Sequence, residues 1–418
     1  MLSKNKCCAR FCSIQYPATN FSCMRLMFVL MILGSGSASA SAKDLTQLVA
    51  ERLSHMKSVA AYKWQHDLPI ENVEREKQVL SSVSLLSLQH GLIAQTAESF
   101  FRSQIEAAKE IQRYWFAQWK RNPKLVPSES GDLDADIRPM LIALGAEITA
   151  SLGRQTQTIT LLQVEGLSGS TSAQLSDAAR LVRRYPNRLK QVLDSGVLRV
   201  GTTGDYLPFS SGTRYQYEGI DIDLARDLAQ SLGVKIQWVE TSWPGLMQDL
   251  DLGLYDIGMS GISINLKRQR SAFFSSAYHR GGKTPIVRCQ DTALYGSLAA
   301  IDQPGIRAVV NPGGTNERFA RTHLKQATLR LHPDNRTVFE EILSHRADVM
   351  FTDQIEVQRQ SQMSNELCAA MPGQTLSVSQ KGFLLPQDMI WKQYVDTWLK
   401  QRVLEGRVRE IFAEHMQR

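Results

Sequence analysis

A chain of 418 residues, 43% hydrophobic and 21% charged, excludes a disordered polyelectrolyte, a collagen and a multispan membrane protein, and its length leads one to expect two domains. Four of its 48 basic side chains, Lys4, Lys6, Arg10 and Arg25, fall in the first 42 residues, which hold no acid; beyond them 44 basic side chains face 41 acidic ones, a net charge of +3. The formal charge of +7 is therefore inflated by the leader, and the body gives no reason to expect a nucleic-acid partner.

The leader reads as a secretory signal. Arg25 precedes an apolar run over residues 26–33, and a small-residue tract then ends in Ala40-Ser41-Ala42, an A-x-A cleavage pattern ahead of Lys43. The run is shorter than the roughly 20 apolar residues that span a bilayer, so no stable membrane insertion is expected after cleavage and the expected location is periplasmic. A retained anchor is the competing reading, and Met24 is an alternative start. Cys7, Cys8, Cys12 and Cys23 lie in the leader, which leaves Cys289 and Cys368 as either one disulfide or two buried thiols. The eight histidines are scattered, and no metal-ligand spacing is present.

From residue 43 to about 185 the pattern is helical. Leu45, Leu48, Val49, Leu53, Met56, Val59 and Ala60 form one apolar stripe at spacings of three and four. Pro69 interrupts it, and the acids over residues 71–74 suit the start of a second helix. Long helices are expected around 99–120 and 132–163, making an all-α bundle. The tract Gly166-Leu167-Ser168-Gly169-Ser170-Thr171-Ser172 reads as a break, with another helix over 173–185 and a domain boundary near Pro186.

Strands and helices then alternate. Strands are expected at 197–202, 235–240 and 256–260, and helices at 222–232, closed by Gly233, and at 243–252. Repeated βα units imply an open, mainly parallel sheet whose ligand site lies outside the carboxyl ends of its strands.

Arg52 and Lys63 are 11 residues apart, three helical turns plus about 20°, so both leave one face near the stripe, and Arg75 opens the next helix. On spacing alone such cations are a solvated face. Gathered at a bundle seam with Gln112 and Arg138 they form a pocket for a small dianion. The runs Glu51-Arg52-Leu53, Val59-Ala60-Ala61-Tyr62-Lys63, Pro69-Ile70-Glu71-Asn72, Arg75-Glu76, Phe101-Arg102-Ser103-Gln104-Ile105-Glu106-Ala107-Ala108 and Phe116-Ala117-Gln118-Trp119-Lys120 resemble the secreted, all-helical chorismate mutases over about residues 45–187. That resemblance implies a pocket inside one bundle, with Arg52, Arg75 and Arg138 on two substrate carboxylates. Lys63 and Gln112 would donate to the ether oxygen as its C–O bond breaks, an effect worth about 3 to 4 kcal/mol per donor. Asn72, where a carboxylate is common, can bond a substrate hydroxyl; Ala108, where a small hydroxyl is common, cannot.

In the second half Ser260-Gly261-Ile262-Ser263 follows a strand, and Arg268 comes five residues after Ser263, a carboxylate cradle. Asn311-Pro312-Gly313-Gly314-Thr315-Asn316-Glu317 follows a strand expected at 307–310 and is a second anion-binding turn. The pair suggests a ligand clamped between lobes. Gly201-Thr202-Thr203-Gly204-Asp205-Tyr206-Leu207-Pro208-Phe209, Ser263 with Arg268, Gly314-Thr315 and Asp353 resemble the two-lobed periplasmic solute-binding proteins for amino acids. The runs Thr241-Ser242-Trp243-Pro244, Met259 to Leu266, Gly282-Lys283-Thr284-Pro285-Ile286, Asn311 to Glu317, His332-Pro333-Asp334-Asn335 and Thr352-Asp353-Gln354-Ile355-Glu356 more closely resemble the cyclohexadienyl dehydratases, over about residues 188–416.

This second resemblance implies a general acid at Glu356, three positions beyond Asp353 and near a helix start. Because a helix N-terminus favours the ionised form, Glu356 can hold a proton near pH 7 only if desolvation wins. Lys283, Asn311, Thr315, Asn316 and Ser263 would bind carboxylates and the hydroxyl, with Arg268 as principal carboxylate ligand and Gly314 in the turn. Trp243, Tyr206 and Phe209 are apolar walls or core aromatics; Lys283 is alternatively an exposed hinge lysine, and Glu317 is a rival acid.

The expectation is thus a multidomain protein: signal peptide 1–42, an all-α chorismate mutase bundle 43–186, and an α/β two-lobed domain 187–418 of the type II periplasmic-binding-protein kind. Its first lobe takes about 187–287 and 380–418, its second 288–379. Chorismate would become prephenate, and prephenate would become phenylpyruvate, or arogenate phenylalanine. Neither step needs a metal, nucleotide or other cofactor, and the oligomeric state, a homo-oligomer included, stays open. The rival readings are a receptor for amino acids or cyclic carboxylates in the second half, and a sensor or scaffold carrying an inactive mutase.

Overall fold

A computed structural model describes residues 43–154, 158–213 and 216–417. The signal peptide, the alternative start at Met24 and the four leader cysteines lie outside the described residues. Among those described, no helix is long and apolar enough to cross a membrane.

Helix α1 (Leu45–Ser54) begins at Asp44, whose carboxylate accepts from Gln47 N while the Gln47 side chain accepts from Asp44 N, a reciprocal capping box. The apolar stripe runs on into α2 (Met56–Gln65) across a turn at His55, so the expected single helix is two, and all seven stripe residues are buried. Asn72 caps α3 (Val73–Gln89). The 28-residue α4 (Ala94–Arg121) is the spine, packed against α1, α2, α3 and α6 (Gly169–Arg180). A π-helical turn, Leu133–Ile137, leads into α5 (Arg138–Arg154), which packs on α1 and α3.

Two expectations fail here. The helix expected to reach residue 163 is described to Arg154 and is gone by Thr158; the β-branched Thr158, Ile159 and Thr160 disfavour it, and the backbone bonds side chains instead, Thr160 N to Thr46 and Leu162 N to Ser172. The Gly/Ser tract is only partly a break, because the Ser168 hydroxyl accepts from Thr171 N and starts α6 at Gly169; that helix ends at Arg180 rather than 185.

Two five-stranded sheets follow. In the first the order is Lys235–Glu240, Val197–Thr202, Ile257–Gly258, Leu384–Leu385, Phe273–Phe274; in the second it is Thr328–Leu331, Arg307–Val310, Val349–Asp353, Lys283–Arg288, Leu367–Ala369. In each sheet four strands share one direction and one opposes them, giving two parallel and two antiparallel pairings, so the mainly parallel expectation holds for strand direction but not for the pairings of the last three strands in each order. Lys283–Arg288 and Leu384–Leu385 follow the two crossings between lobes, and each runs opposite to its parallel neighbour. Beside these crossings His279–Gly281 pairs with Ser379–Lys381, an antiparallel hinge ribbon. The strand expected at 256–260 contracts to Ile257–Gly258, and the helix expected at 243–252 to Leu246–Asp251.

Each lobe repeats one ionic device. Arg199 donates through its backbone N, Nε and Nη2 to Asp256, and Arg307 does the same to Asp348. A disulfide joins Cys289 to Cys368, 79 residues apart, a closure worth roughly 4 kcal/mol in the chain-entropy account.

The bundle meets the first lobe at the end of α3. Helix α7 (Arg188–Ser195), capped by Asn187, sends Gln191 Nε2 to Leu88 O at 2.6 Å, and Arg188 adds a second guanidinium to Asp256 at 2.9 Å. Gly253, at φ +67°, lies so close to α3 that a Cβ there would stand 2.1 Å from Gln89 O. Gly253→Ala should therefore lower stability by roughly 1–3 kcal/mol through strain and loss of this contact, read as a lower urea midpoint. An unchanged midpoint would show that the two surfaces separate without cost.

Candidate functional sites

The bundle encloses a cavity of about 220 Å³. Arg52 from α1, Lys63 from α2, Asn72 and Arg75 at the start of α3, Gln112 from α4 and Arg138 from α5 all line it, as does Ala108. The apolar stripe sets α1 and α2 against α4 and so turns the cations on its flank inward rather than to water.

The charges there are poorly balanced. Arg52 is buried, its Nε has no protein partner, and its guanidinium lies 5.9 Å from the Phe101 ring centroid. Desolvation, helped by the neighbouring Arg75, depresses its pKa to about 10. Desolvation and Arg138 likewise lower Lys63 and Arg75. Lys63 Nζ donates to Ile70 O at 2.6 Å, Arg75 to Gln78 at 3.0 Å, and Arg138 pairs with Asp134.

Two donors are already engaged. Gln112 Nε2 donates to Ala108 O at 3.1 Å, one turn back, while its buried Oε1 has no partner. Asn72 Oδ1 accepts from Arg75 N at 2.9 Å as a helix cap, so only its amide NH₂ is left for a ligand hydroxyl. Reading the sequence missed Lys109 and Glu76, which also line the cavity and pair at 3.3 Å. Lys109 stands three residues before Gln112 on α4, and that spacing was the available signal.

The second site lies between the two sheets. Tyr206, Trp243, Ser263, Arg268, Asn311, Gly314, Thr315, Asn316 and Asp353 line it, as expected, together with Asn335 and Lys381. Its open space is about 20 Å³, room for about one water, so a ring-sized molecule reaches these groups only when the lobes part. Asn335 Nδ2 to Asp205 O at 2.8 Å and Arg336 Nε to Gly204 O at 3.3 Å tie one lobe to the other.

Asp353 ends the strand Val349–Asp353 and precedes the helix Gln354–Met363. Lys283 Nζ lies 2.9 Å from its Oδ1 and Lys381 Nζ 2.6 Å from its Oδ2, where the Tyr206 hydroxyl also donates. Burial opposes ionisation of Asp353, but the two ammonium groups outweigh it and hold the carboxyl well below its usual range. Lys283 is 3% exposed, which rejects the exposed-hinge alternative; desolvation lowers it although Asp353 pulls the other way.

Glu356, one turn along that helix, is 1% exposed. Desolvation raises it to about 8 against the opposing hydrogen bond from Thr352, and the Asp353 charge raises it further. The Thr352 hydroxyl pairs with Oε2, leaving Oε1 to carry a proton. Glu356 and Lys283 stand just behind the lining, linked to it through Thr352 and Asn316: Asn316 Nδ2 donates to Thr352 and to Asn311 at 3.2 Å each, and Asn316 Oδ1 accepts from Lys283.

The remaining expectations divide. Arg268 Nη1 donates to Ser263 O at 3.2 Å, and burial, with Arg318 nearby, depresses its pKa to about 10. Trp243 and Tyr206 are not plain apolar walls: Trp243 Nε1 donates to Asp205 at 3.1 Å and the Tyr206 hydroxyl binds Asp353. Phe209 is core, packed with Tyr278 and Phe412. Glu317 accepts from Gly313 N at 2.7 Å and pairs with Arg321 at 2.8 Å, which lower its pKa and leave it ionised, so it is no rival acid. Asn335, Lys381 and Thr352 were the missed members. Among the described residues no cluster of His, Cys, Asp and Glu could hold a metal ion.

Two outcomes follow from these charge states. Because Arg52 is a buried cation with no acid partner, Arg52→Met should raise the melting temperature by about 2–4 °C, measured by calorimetry, while emptying the cavity of its central cation. Because the Glu356 carboxyl titrates near 8 when folded and near 4.3 when unfolded, folding takes up a proton between those values and stability falls as pH rises across them. Glu356→Gln should flatten that slope by up to about 1.4 kcal/mol per pH unit, read from urea unfolding at pH 5 to 8.

Known proteins place both halves. The sequence profile of the bacterial extracellular solute-binding proteins, family 3, matches residues 198–418, and that of chorismate mutase type II matches residues 40–113. The chain is 51% identical over 234 residues to the cyclohexadienyl dehydratase of Pseudomonas aeruginosa, which covers 56% of this chain and 87% of that protein. It is 31% identical over 130 residues to the secreted chorismate mutase of Mycolicibacterium smegmatis, covering 30% of this chain and 71% of that one. The crystal structure of an ancestral amino acid-binding protein, described as a precursor of cyclohexadienyl dehydratase, superposes with a TM-score of 0.51 at 32% identity, covering 55% of this chain and 99% of that one. The chain therefore belongs through its C-terminal part to the cyclohexadienyl dehydratases within the family 3 extracellular solute-binding proteins, and through its N-terminal part to the secreted chorismate mutases.

Proposed function

We propose that this chain is a bifunctional enzyme of phenylalanine biosynthesis, in which the bundle rearranges chorismate to prephenate and the two-lobed domain removes water and CO₂ from prephenate, arogenate or both. The observation that carries the second activity is a buried Glu356, pushed up to about 8 by desolvation, one helical turn from an Asp353 paired with Lys283 and Lys381. In this reading residues 1–42 are removed on export to the periplasm, and the mature chain divides near residue 186.

The first reaction is an intramolecular rearrangement that needs no nucleophile and no proton transfer, so restriction and electrostatics are the means available. Arg52, Arg75 and Arg138 hold the two carboxylates. Lys63 and Gln112 meet the ether oxygen as it gains charge, which requires Lys63 to leave the Ile70 carbonyl and Gln112 to turn an N–H inward from the Met56 sulfur.

In the second reaction Arg268 and Ser263 hold the side-chain carboxylate, with Asn311, Thr315 and Asn316 across the cleft. Glu356 gives its proton to the ring hydroxyl, which leaves as water. The C–C bond to the ring carboxylate breaks, its electrons enter the ring, and CO₂ departs as the ring becomes aromatic. A receptor that only binds needs no neutral carboxyl beside its ligand, so Glu356 separates the enzyme from the receptor reading.

Purified protein given chorismate should form phenylpyruvate. Glu356→Gln should reduce the second step by at least about 100-fold at pH 7 and let prephenate accumulate. Lys63→Ala should slow chorismate loss by about 100- to 1,000-fold and leave conversion of added prephenate unchanged. Unconsumed chorismate in the unaltered protein overturns the first activity, and prephenate that is never converted overturns the second. The dehydratase rate should fall as pH rises through about 8, where Glu356 loses its proton.

A further inference from the structure

The mutase reaction leaves one ionic cluster of the bundle unused. Lys109, 8% exposed on α4, lines the cavity and brings its ammonium to Glu106 at 2.7 Å and Glu76 at 3.3 Å, with Glu71 at 3.9 Å. Burial opposes its charge, but the hydrogen bond and charge of Glu106, together with Glu76, outweigh it. Glu106 and Glu71 are more than half exposed, and Glu71 also faces Arg113 at 3.6 Å. Asp134, outside the lining and largely exposed, pairs with Arg138. Among the described residues that line the cavity Glu76 is the one acid, and it follows Arg75 directly in the first turn of α3.

A carboxylate in the wall is a liability for a site that takes a dianion. Burial and Arg138 lower Lys63, and the nearby Glu76 works against them, so Glu76 lies within electrostatic reach of the ammonium assigned to the ether oxygen. Without a partner of its own, Glu76 would repel the dianion and compete with it for Lys63, and both effects are stronger in a desolvated space than in water. Lys109 removes both. It enters from α4 three residues before Gln112, cancels the Glu76 charge, and ties the turn that carries Arg75 to the helix that carries Gln112.

We propose that Lys109 is a positioning residue of the mutase: it holds the Glu76 carboxylate off Lys63 and screens it from the substrate, so that the cavity accepts a dianion despite an acid in its wall. This rests on the mutase reading above and adds to that site a residue that touches no reacting atom. Lys109 acts through Glu76, so its effect disappears when Glu76 carries no charge. A lysine that served only to pack α4 would show no such dependence.

The test is a double-mutant cycle on chorismate consumption by the full chain at pH 7, with Lys109→Met, Glu76→Gln and the two combined. Lys109→Met should raise KM for chorismate by about tenfold or more and change kcat by less than about threefold, because breaking a buried pair on one side leaves the other charge uncompensated. In the Glu76→Gln background the same substitution should change KM by less than about twofold. Lys109→Arg, which keeps the charge, should hold KM within about threefold of the unaltered protein. An unchanged KM in Lys109→Met, a loss carried by kcat alone, or an equal loss with and without the Glu76 charge overturns the proposal. The urea midpoint of each variant reports whether its bundle folds, and if Lys109→Met does not, Lys109→Gln takes its place in the cycle with the same expected and overturning results. If the unaltered protein consumes no chorismate, the mutase reading fails, and calorimetric binding of chorismate to the same four proteins still decides: binding weakened in Lys109→Met and regained in the combined variant supports the proposal, while equal binding throughout, or none, overturns it.

Discussion

Two carboxylates three residues apart are driven to opposite charge states, and the second site depends on that separation. Asp353 ends a strand where two lysines and a phenolic hydroxyl converge; Glu356 sits one turn further on, where no cation makes direct contact and water is excluded. The helix start that would favour ionisation of Glu356 is outweighed by desolvation and by the negative charge of its neighbour. Neighbouring acids split in this way are the usual mark of a site that needs one fixed charge and one transferable proton.

The bundle treats charge differently. It gathers guanidinium and ammonium groups around a cavity where Glu76 and Asp134 pair with Lys109 and Arg138 but Arg52 and Lys63 are lowered by burial and by the cations beside them, so the strain of the unliganded state is electrostatic repulsion rather than a displaced proton. A dianion relieves that repulsion without any group changing its protonation. The two halves thus answer related substrates with the same residue types but different uses of burial.

Much of this was legible in the residues. The strands Val197–Thr202, Lys235–Glu240 and Arg307–Val310 fall where short runs rich in β-branched residues are bounded by turn-forming or polar residues, and the stripe from Leu45 to Ala60 is buried throughout. The cavity cations and the cleft residues came together largely as anticipated because they are tied to recurring local runs. What escaped were effects of distance. Lys381 lies in a polar stretch with no periodicity, and its partners Ser263 and Tyr206 are 118 and 175 positions away. The loss of helix from Thr158 onward was hidden because Thr160 and Leu162 bond their backbone N–H groups to Thr46 and Ser172, which local pattern does not reveal. Likewise the capping role of Asn72 and the α3 contact at Gly253 concern backbone groups rather than residue types.

The interleaving of the first lobe has a consequence for how the molecule assembles. Its sheet places Leu384–Leu385 between Ile257–Gly258 and Phe273–Phe274, and its core includes Trp391, Trp398 and Ile411. The bundle, by contrast, has all its described helices by Arg180. A growing or translocating chain can therefore finish the mutase while the dehydratase still lacks the middle of a sheet, and the long loop that must close before that sheet forms makes the second half the slower partner in folding.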